Sequence, residues 1–247
     1  DCEAGIASTT WTVPYLPVTP AMDGKISVGE YERFENYEDY LTYAMRTNNG
    51  QNTVDEFYAF LDAAKPGFFD AYWGWDGQYL YMAFDIDAID GYDCTPSQDV
   101  MLFAYNCLQI GLADVDAEGR DPSYTELGFG YNQEKQEDIT FTWNGQYLSG
   151  ADDFTGKYDD ASKRITYELR IDLQPALGWE KYPENGDQCN FAFVMEVQGE
   201  KDENKNAQVL FCHGIGGQFS PKLCQYFARI TFEGKPENVV IKPGEIP

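Results

Sequence analysis

The stretch at residues 68–87, FFDAYWGWDGQYLYMAFDID, decides how the rest of the chain is read. In its second half Leu80, Met82, Phe84 and Ile86 fall on one face of an extended chain, and Tyr79, Tyr81, Ala83, Asp85 and Asp87 on the other. That alternation describes a strand with one buried side. Asp76-Gly77 separates it from a second aromatic run holding Trp73 and Trp75, and glycine accepts the positive φ of a tight hairpin turn. The segment is therefore a β-hairpin dense in aromatic side chains, which half-buried pleated surfaces accommodate well.

The same alternation recurs downstream. Residues 106–113 place Leu108, Ile110 and Leu112 on one face, residues 124–132 follow, and residues 138–143 turn at Asn144-Gly145 into residues 146–149. Ile165, Tyr167, Leu169, Ile171 and Leu173 alternate with polar residues, Phe191, Phe193, Met195 and Val197 repeat the pattern, and Ala228, Ile230 and Phe232 close the series. Upstream, residues 15–23 read as a first strand ending at the Asp23-Gly24 turn. Between Val28 and Ala64 the period changes: Tyr31, Phe34, Tyr37 and Leu41, then Val54, Phe57 and Leu61, recur at three- and four-residue intervals and predict one or two short helices. About ten short strands with turns between them predict an all-β fold, a two-sheet antiparallel jelly-roll-like sandwich with its short helices in an N-terminal insertion. Residues 1–234 are expected to form one domain, with the insertion at about 30–65. Residues 235–247 carry three prolines and read as a C-terminal linker to a covalently attached neighbouring module or anchor.

The formal charge of −25 opposes binding to nucleic acid or to an anionic membrane surface and leaves neutral ligands and cations as partners. No stretch has the length of a transmembrane helix, and Asp1-Cys2-Glu3 lacks a basic-plus-apolar leader, so a mature or excised form is expected. Cys2, Cys94, Cys107, Cys189, Cys212 and Cys224 form an even set without a C-x-x-C pair, which favours disulfides over a zinc knuckle and an extracellular or cell-surface setting. If residues 190–198 and 208–213 form a hairpin, Cys189 and Cys212 become opposite neighbours and a candidate disulfide. The reduced alternative, small buried hydrophobes, stays open.

In order along the chain, Asp23-Gly24, WDGQYLYMAFDID, NCLQIGL, ITYELRIDL and YFARITF resemble the family 9 carbohydrate-binding modules, within the wider group of DOMON-like β-sandwiches. The resemblance covers about residues 15 to 233, and the specificity lies in the order of the motifs. It implies a non-catalytic sandwich that grips a sugar chain end between two aromatic rings. One ring aligns with Phe103, before the NCLQIGL strand, with Gln109 at a polar sugar-contacting position. The other falls near Phe219. Family members usually carry Trp at both places, and this chain departs from them with Phe at both.

Sugars present apolar C–H faces and a rim of hydroxyls, so their sites combine flat rings with amides and carboxylates. Trp73, Trp75, Trp143 and Trp179 are all candidate platforms. The resemblance sends Trp75 into the core, Trp73 keeps a claim to both roles, and Trp143 stands beside the Asn144-Gly145 turn. The acidic run Asp85, Asp87, Asp90, Asp93 and Asp99 could hold a structural calcium ion through oxygen ligands, which the resemblance also implies, or form a solvated loop. His213 is the only histidine. The haem-binding branch of the DOMON-like group makes Met82 or Met101 its conceivable axial partner. Paired carboxylates could hydrolyse glycosides, but no spacing marks two of them as special. The expected function is thus a non-enzymatic module of a secreted or cell-surface polysaccharide-processing protein, binding plant-type oligosaccharides or polysaccharides. An electron-transfer haem domain, a glycoside hydrolase and a structural or adhesive module are the alternatives.

Overall fold

A computed structural model describes residues 10–34, 42–47, 69–88, 92–119, 124–198, 207–213, 224 and 227–237. In chain order the strands are β1 (Thr10–Pro14), β2 (Glu32–Arg33), β3 (Thr42–Thr47), β4 (Phe69–Trp75), β5 (Tyr79–Asp87), β6 (Cys107–Asp114), β7 (Thr125–Asn132), β8 (Glu137–Asn144), β9 (Phe154–Asp159), β10 (Arg164–Asp172), β11 (Gln188–Gln198), β12 (Ala207–His213) and β13 (Ala228–Glu233). A short helix α1 (Leu173–Leu177) precedes β11, and 3₁₀ turns occupy Asp99–Ala104 and Ala151–Asp153. Among the described residues no helix is long and apolar enough to cross a membrane.

Two sheets face each other, as the alternation requires. The larger, eight-stranded sheet runs β1-β13-β11-β6-β7-β8, with β12 beside β11 and β3 beside β12. The smaller runs β2-β4-β5-β10-β9. All pairings are antiparallel except that of β1 with β13, two strands far apart in sequence that need no crossover between them. Leu80, Met82, Phe84 and Ile86 of β5, with Ile165, Tyr167, Leu169 and Ile171 of β10, pack against Leu108, Ile110 and Leu112 of β6 and Phe191, Phe193 and Met195 of β11. At the β1 side of this interior Trp73 lies parallel to Phe34, ring centroids 3.8 Å apart, and Trp11 meets both rings edge-on. Trp75 is fully enclosed, its indole N–H donating to the Glu233 carbonyl at 3.0 Å.

The turn chemistry appears where it was read. Asp76 Oδ1 accepts from the Gln78 and Tyr79 amides while Gly77 takes φ 102°. One expectation fails on the same hairpin: β5 is buried on both faces. The outward Tyr81 and Ala83 lie under Leu16 and Tyr31. The segment between β1 and β2 folds over the small sheet and is anchored on Glu168 of β10. That buried carboxylate accepts from the Gly24 and Lys25 amides through Oε2, at 2.5 and 3.1 Å, and from the Tyr31 hydroxyl through Oε1, at 2.7 Å.

Other sequence readings need correction. Residues 15–23 are not a strand: β1 ends at Pro14, Tyr15 makes a single bridge to Trp75, and the chain then leaves the sheet edge to cover β5. Tyr31 and Phe34 do not share a helix face, because residues 32–33 pair with β4 as a strand and Phe34 turns into the core. Residues 42–47 are likewise extended, and the second helical pattern, from Val54 to Leu61, lies outside the described residues. Residues 146–149 form no strand. The hairpin of β11 and β12 exists, but its register sets Cys212 opposite Val194 and Cys189 opposite Ile230 and Asp114. Five strand positions, roughly 17 Å, separate Cys189 from the partner of Cys212, so the proposed disulfide does not form. Cys189 is instead a free thiol with 0% exposure, whose pKa burial drives upward. Cys94 is another buried free thiol, pushed up to about 12 by desolvation. The proposed linker boundary also cuts through an ordered contact: Lys235 exchanges hydrogen bonds with Asn185 and pairs with Glu184 at 2.9 Å.

Glu168 provides a test of the covering segment. Glu168→Ala strands two amides and a hydroxyl under a buried surface and is expected to cost about 3 kcal/mol in urea unfolding. Glu168→Gln is expected to fold well, because the amide can accept from Gly24 and Lys25 and donate to Tyr31. Burial raises the Glu168 pKa above its ordinary 4.5, with the hydrogen bonds from Tyr31 and Gly24 opposing. The folded state therefore holds the proton to higher pH than the unfolded chain, and this group's contribution falls as pH rises from about 4.5 through the raised value. Unfolding measured across that window should lose this component of its slope in the Gln variant, and an identical slope would refute the assignment.

Candidate functional site

Strand parity builds a second surface on the large sheet. With Leu108, Ile110 and Leu112 of β6 turned inward, Gln109, Gly111 and Ala113 turn outward. Ala192, Val194 and Glu196 of β11 and Glu126, Gly128 and Gly130 of β7 do the same. Register aligns Val194, Gln109, Gly128 and Phe141 in one row, and Ala192, Gly111 and Glu126 in the next.

Two glycines in these rows let aromatic rings reach the backbone. A Cβ at Gly128 would lie 2.3 Å from the Trp143 ring, and one at Gly111 would lie 2.8 Å from the Phe227 ring. Trp143 thereby stands beside the cross-strand neighbour of Gln109, and Phe227 beside its neighbour two residues along the strand. Trp143 is oriented by its indole N–H, which donates to the Val100 carbonyl at 3.0 Å, and by edge-on contacts with Phe141 at 5.5 Å and Phe103 at 6.4 Å. Phe103 comes from the 3₁₀ turn before β6, whose Leu102 fills the space above Gly128 and Gly130. Phe227 meets Tyr124 edge-on at 5.6 Å.

Between these walls the polar groups are mostly acceptors. Glu126 Oε2 accepts from the Tyr124 hydroxyl at 3.0 Å, and Glu196 Oε2 accepts from the Cys107 thiol at 3.4 Å. Gln109 is 2% exposed, and its Oε1 receives no hydrogen bond from the protein. A buried amide oxygen in that condition costs about 1–3 kcal/mol unless a hydroxyl or water donates to it. These acceptors are buried, whereas Trp143, Phe103 and Phe141 keep part of their ring surface exposed, and flat rings of that kind suit stacking on a hydroxyl-bearing ring molecule.

The fold thus brings together three of the residues singled out in the sequence: Phe103, Gln109 and Trp143. Trp143 is half-buried against the sheet and not projecting at a turn tip. Trp73 is not a platform: at 3% exposure and stacked on Phe34 it belongs to the core, because its parity on β4 faces the large sheet. Phe219 lies outside the described residues. The acidic run is not gathered. Asp85 is paired with Arg164 at 2.8 Å, Asp93 accepts from the Thr95 hydroxyl, Asp99 begins a 3₁₀ turn, Asp87 ends β5, and Asp90 is outside the described residues. Among the described residues no group of three or more His, Cys, Asp or Glu could hold a metal ion, so the described members of this run do not fit a shared calcium site. The haem alternative is not favoured either, since Met82 is sealed in the interior while Met101 sits on the exposed 3₁₀ turn. Sequence reading missed Phe141, Glu126, Glu196, Tyr124 and Phe227. Only Phe141 left a signal, as the middle of the alternating Ile139, Phe141 and Trp143.

No family model and no curated protein matches the chain. Solved structures do. One is a family 9 carbohydrate-binding module from Caldicellulosiruptor kristjanssonii in complex with cellotriose, 15% identical over 96% of this chain and 100% of that one, with a TM-score of 0.57. A family 9 module from the same organism in complex with glucose matches with 16% identity, 93% and 98% coverage, and a TM-score of 0.56. The architecture is that of a carbohydrate-binding-module sandwich. Within that class, the fold is the one seen in family 9, as the order of motifs implied.

Gly128 tests the geometry directly. Gly128→Ala is expected to push the Trp143 ring off the sheet, shifting tryptophan emission to longer wavelength at a stability cost of about 1–3 kcal/mol. An unchanged spectrum would show that the ring is not seated there.

Proposed function

We propose that this protein is a non-catalytic carbohydrate-binding module that takes a neutral plant-type glycan on the outer face of its large sheet. The observation that carries the reading is the partly exposed cluster of flat rings on that face, Trp143 with Phe103 and Phe141, seated against Gly128, the cross-strand neighbour of Gln109. Trp143, with Phe103 and Phe141, offers the stacking surface, and Gln109 and Glu126 lie buried beside it. Where the family uses two tryptophans, this site would use Phe103 leaning on Trp143. Two solved structures of the same fold hold cellotriose and glucose, which supports the ligand class. The net charge of −25 and the two carboxylates on the floor disfavour glycans bearing uronic acids or sulfate. An extracellular or cell-surface setting, attached to further modules of a polysaccharide-processing protein, fits this role.

Titration calorimetry with cellotriose and xylotriose is expected to give a dissociation constant on the order of micromolar to millimolar. Trp143→Ala should weaken it at least about tenfold, equivalent to about 1.4 kcal/mol, with no reducing sugar released by either protein. Absence of binding across a panel of neutral glycans would overturn the proposal, and partner binding unaffected by Trp143→Ala would favour an adhesive module instead.

A further inference from the structure

A second indole faces a groove that the Gln109 site does not use. Trp179 follows α1 directly, and its backbone is fixed by the helix end: Gly178 takes φ 68°, and the Trp179 amide donates to the Gln174 carbonyl at 3.0 Å. The indole N–H donates to Asp114 Oδ2 at 2.6 Å, and the Asp114 carbonyl accepts from Asn190 at 3.1 Å. The ring is therefore held in one orientation, half-buried against the sandwich interior with its remaining surface toward solvent.

The loop opposite is equally well tied. Gln174 binds the Glu180 carbonyl, the Glu184 amide donates to Asp187, and residues 186–187 exchange backbone hydrogen bonds with Phe232. Between these walls lies an open groove of about 670 Å³, lined by Asp114, Asp116, Trp179, Glu180, Lys181 and Gln188 among others. A groove of that size holds a small ligand. It opens at the Asp114 end of β6, five residues from Gln109, which in a strand is roughly 17 Å. Asp114 has the parity of the inward Leu108, Ile110 and Leu112, so the groove does not share the outer face that carries Gln109, and the two are separate sites.

From this geometry we infer that the Trp179 groove is a second saccharide-binding site, taking a neutral oligosaccharide segment. The indole supplies a flat apolar face already held in place, the exposed Asp116 and Glu180 accept from hydroxyls, and Lys181 donates to ring or hydroxyl oxygens. Four carboxylates against one ammonium disfavour an acidic sugar, and because the same excess attracts an organic cation, the test includes one as a competitor. The groove is built from residues separate from the Gln109 site, so it stands or falls independently of it.

Indole N–H signals in a proton–nitrogen correlation spectrum separate the two sites, because the chain has five tryptophans and three of them, Trp11, Trp73 and Trp75, are buried. Assigned through Trp179→Phe, the Trp179 signal is expected to shift saturably with millimolar cellotriose or xylotriose. The shift should persist in Trp143→Ala. Glu180→Ala and Lys181→Ala, both at exposed positions, should weaken the Trp179 titration at least about threefold while leaving that of Trp143 unchanged. A Trp179 signal that stays still while Trp143 responds overturns this inference and leaves the Gln109 site standing. The reverse pattern supports the groove and removes the other site, and silence at both removes both. A shift with tetramethylammonium but not with the trisaccharides would overturn the saccharide assignment.

Discussion

Strand parity is the constraint on which the rest depends. Each central strand of the large sheet sends one set of side chains inward and the next outward, with no third choice. Burying Leu108, Ile110 and Leu112 places Gln109 and Gly111 outside, and burying Leu127 and Phe129 does the same for Glu126 and Gly128. Core and site are two readings of one alternation. A slip of one residue in β6 would turn Gln109 into the apolar interior and lift three aliphatic side chains to the outer face. The interior rings of Phe191, Phe193 and Phe84 resist such a slip because their places are already filled.

On the small sheet the same parity has a different outcome. Its outer face is closed by the segment from Leu16 to Tyr31, which turns a one-sided strand into one buried on both sides. Covering that face leaves Glu168 under the segment, and the fold satisfies it with two amides and a hydroxyl. One outer face of the sandwich is thus closed by the chain's own N-terminal part, and on the other Ala192, Val194, Cys224 and Phe227 form a second buried cluster while the Gln109 oxygen is left without a protein donor.

Much of the fold was legible in single segments. The hairpin around Asp76-Gly77 and the strands from Ile165, Phe191 and Ala228 follow from period-two alternation and turn chemistry, both local. The errors fall where a neighbour in space overrides a local pattern. Phe34 looked helical in its spacing, yet Trp73 and Trp11 hold it from the core. Cys189 and Cys212 looked opposed, yet the pairing Gln198 to Gln208 sets a register that separates them. In the site, Phe103, Gln109 and Trp143 were named from sequence, whereas Phe227 and Glu126 became visible only once β6, β7 and β11 were in register.

By itself the sequence determined the class of architecture, the inward faces of the central strands and the acidic, aromatic-rich character of the chain, because each is carried by composition or by residues a few positions apart. Only the tertiary structure decided which tryptophans serve as walls. Trp73 is enclosed because β4 faces the large sheet, Trp143 lies against Gly128 because β8 pairs with β7, and Trp179 borders a groove because Asp114 fixes its indole from a distant strand. An aromatic residue's role depends on what stands opposite it, and in a sandwich that partner comes from elsewhere in the chain.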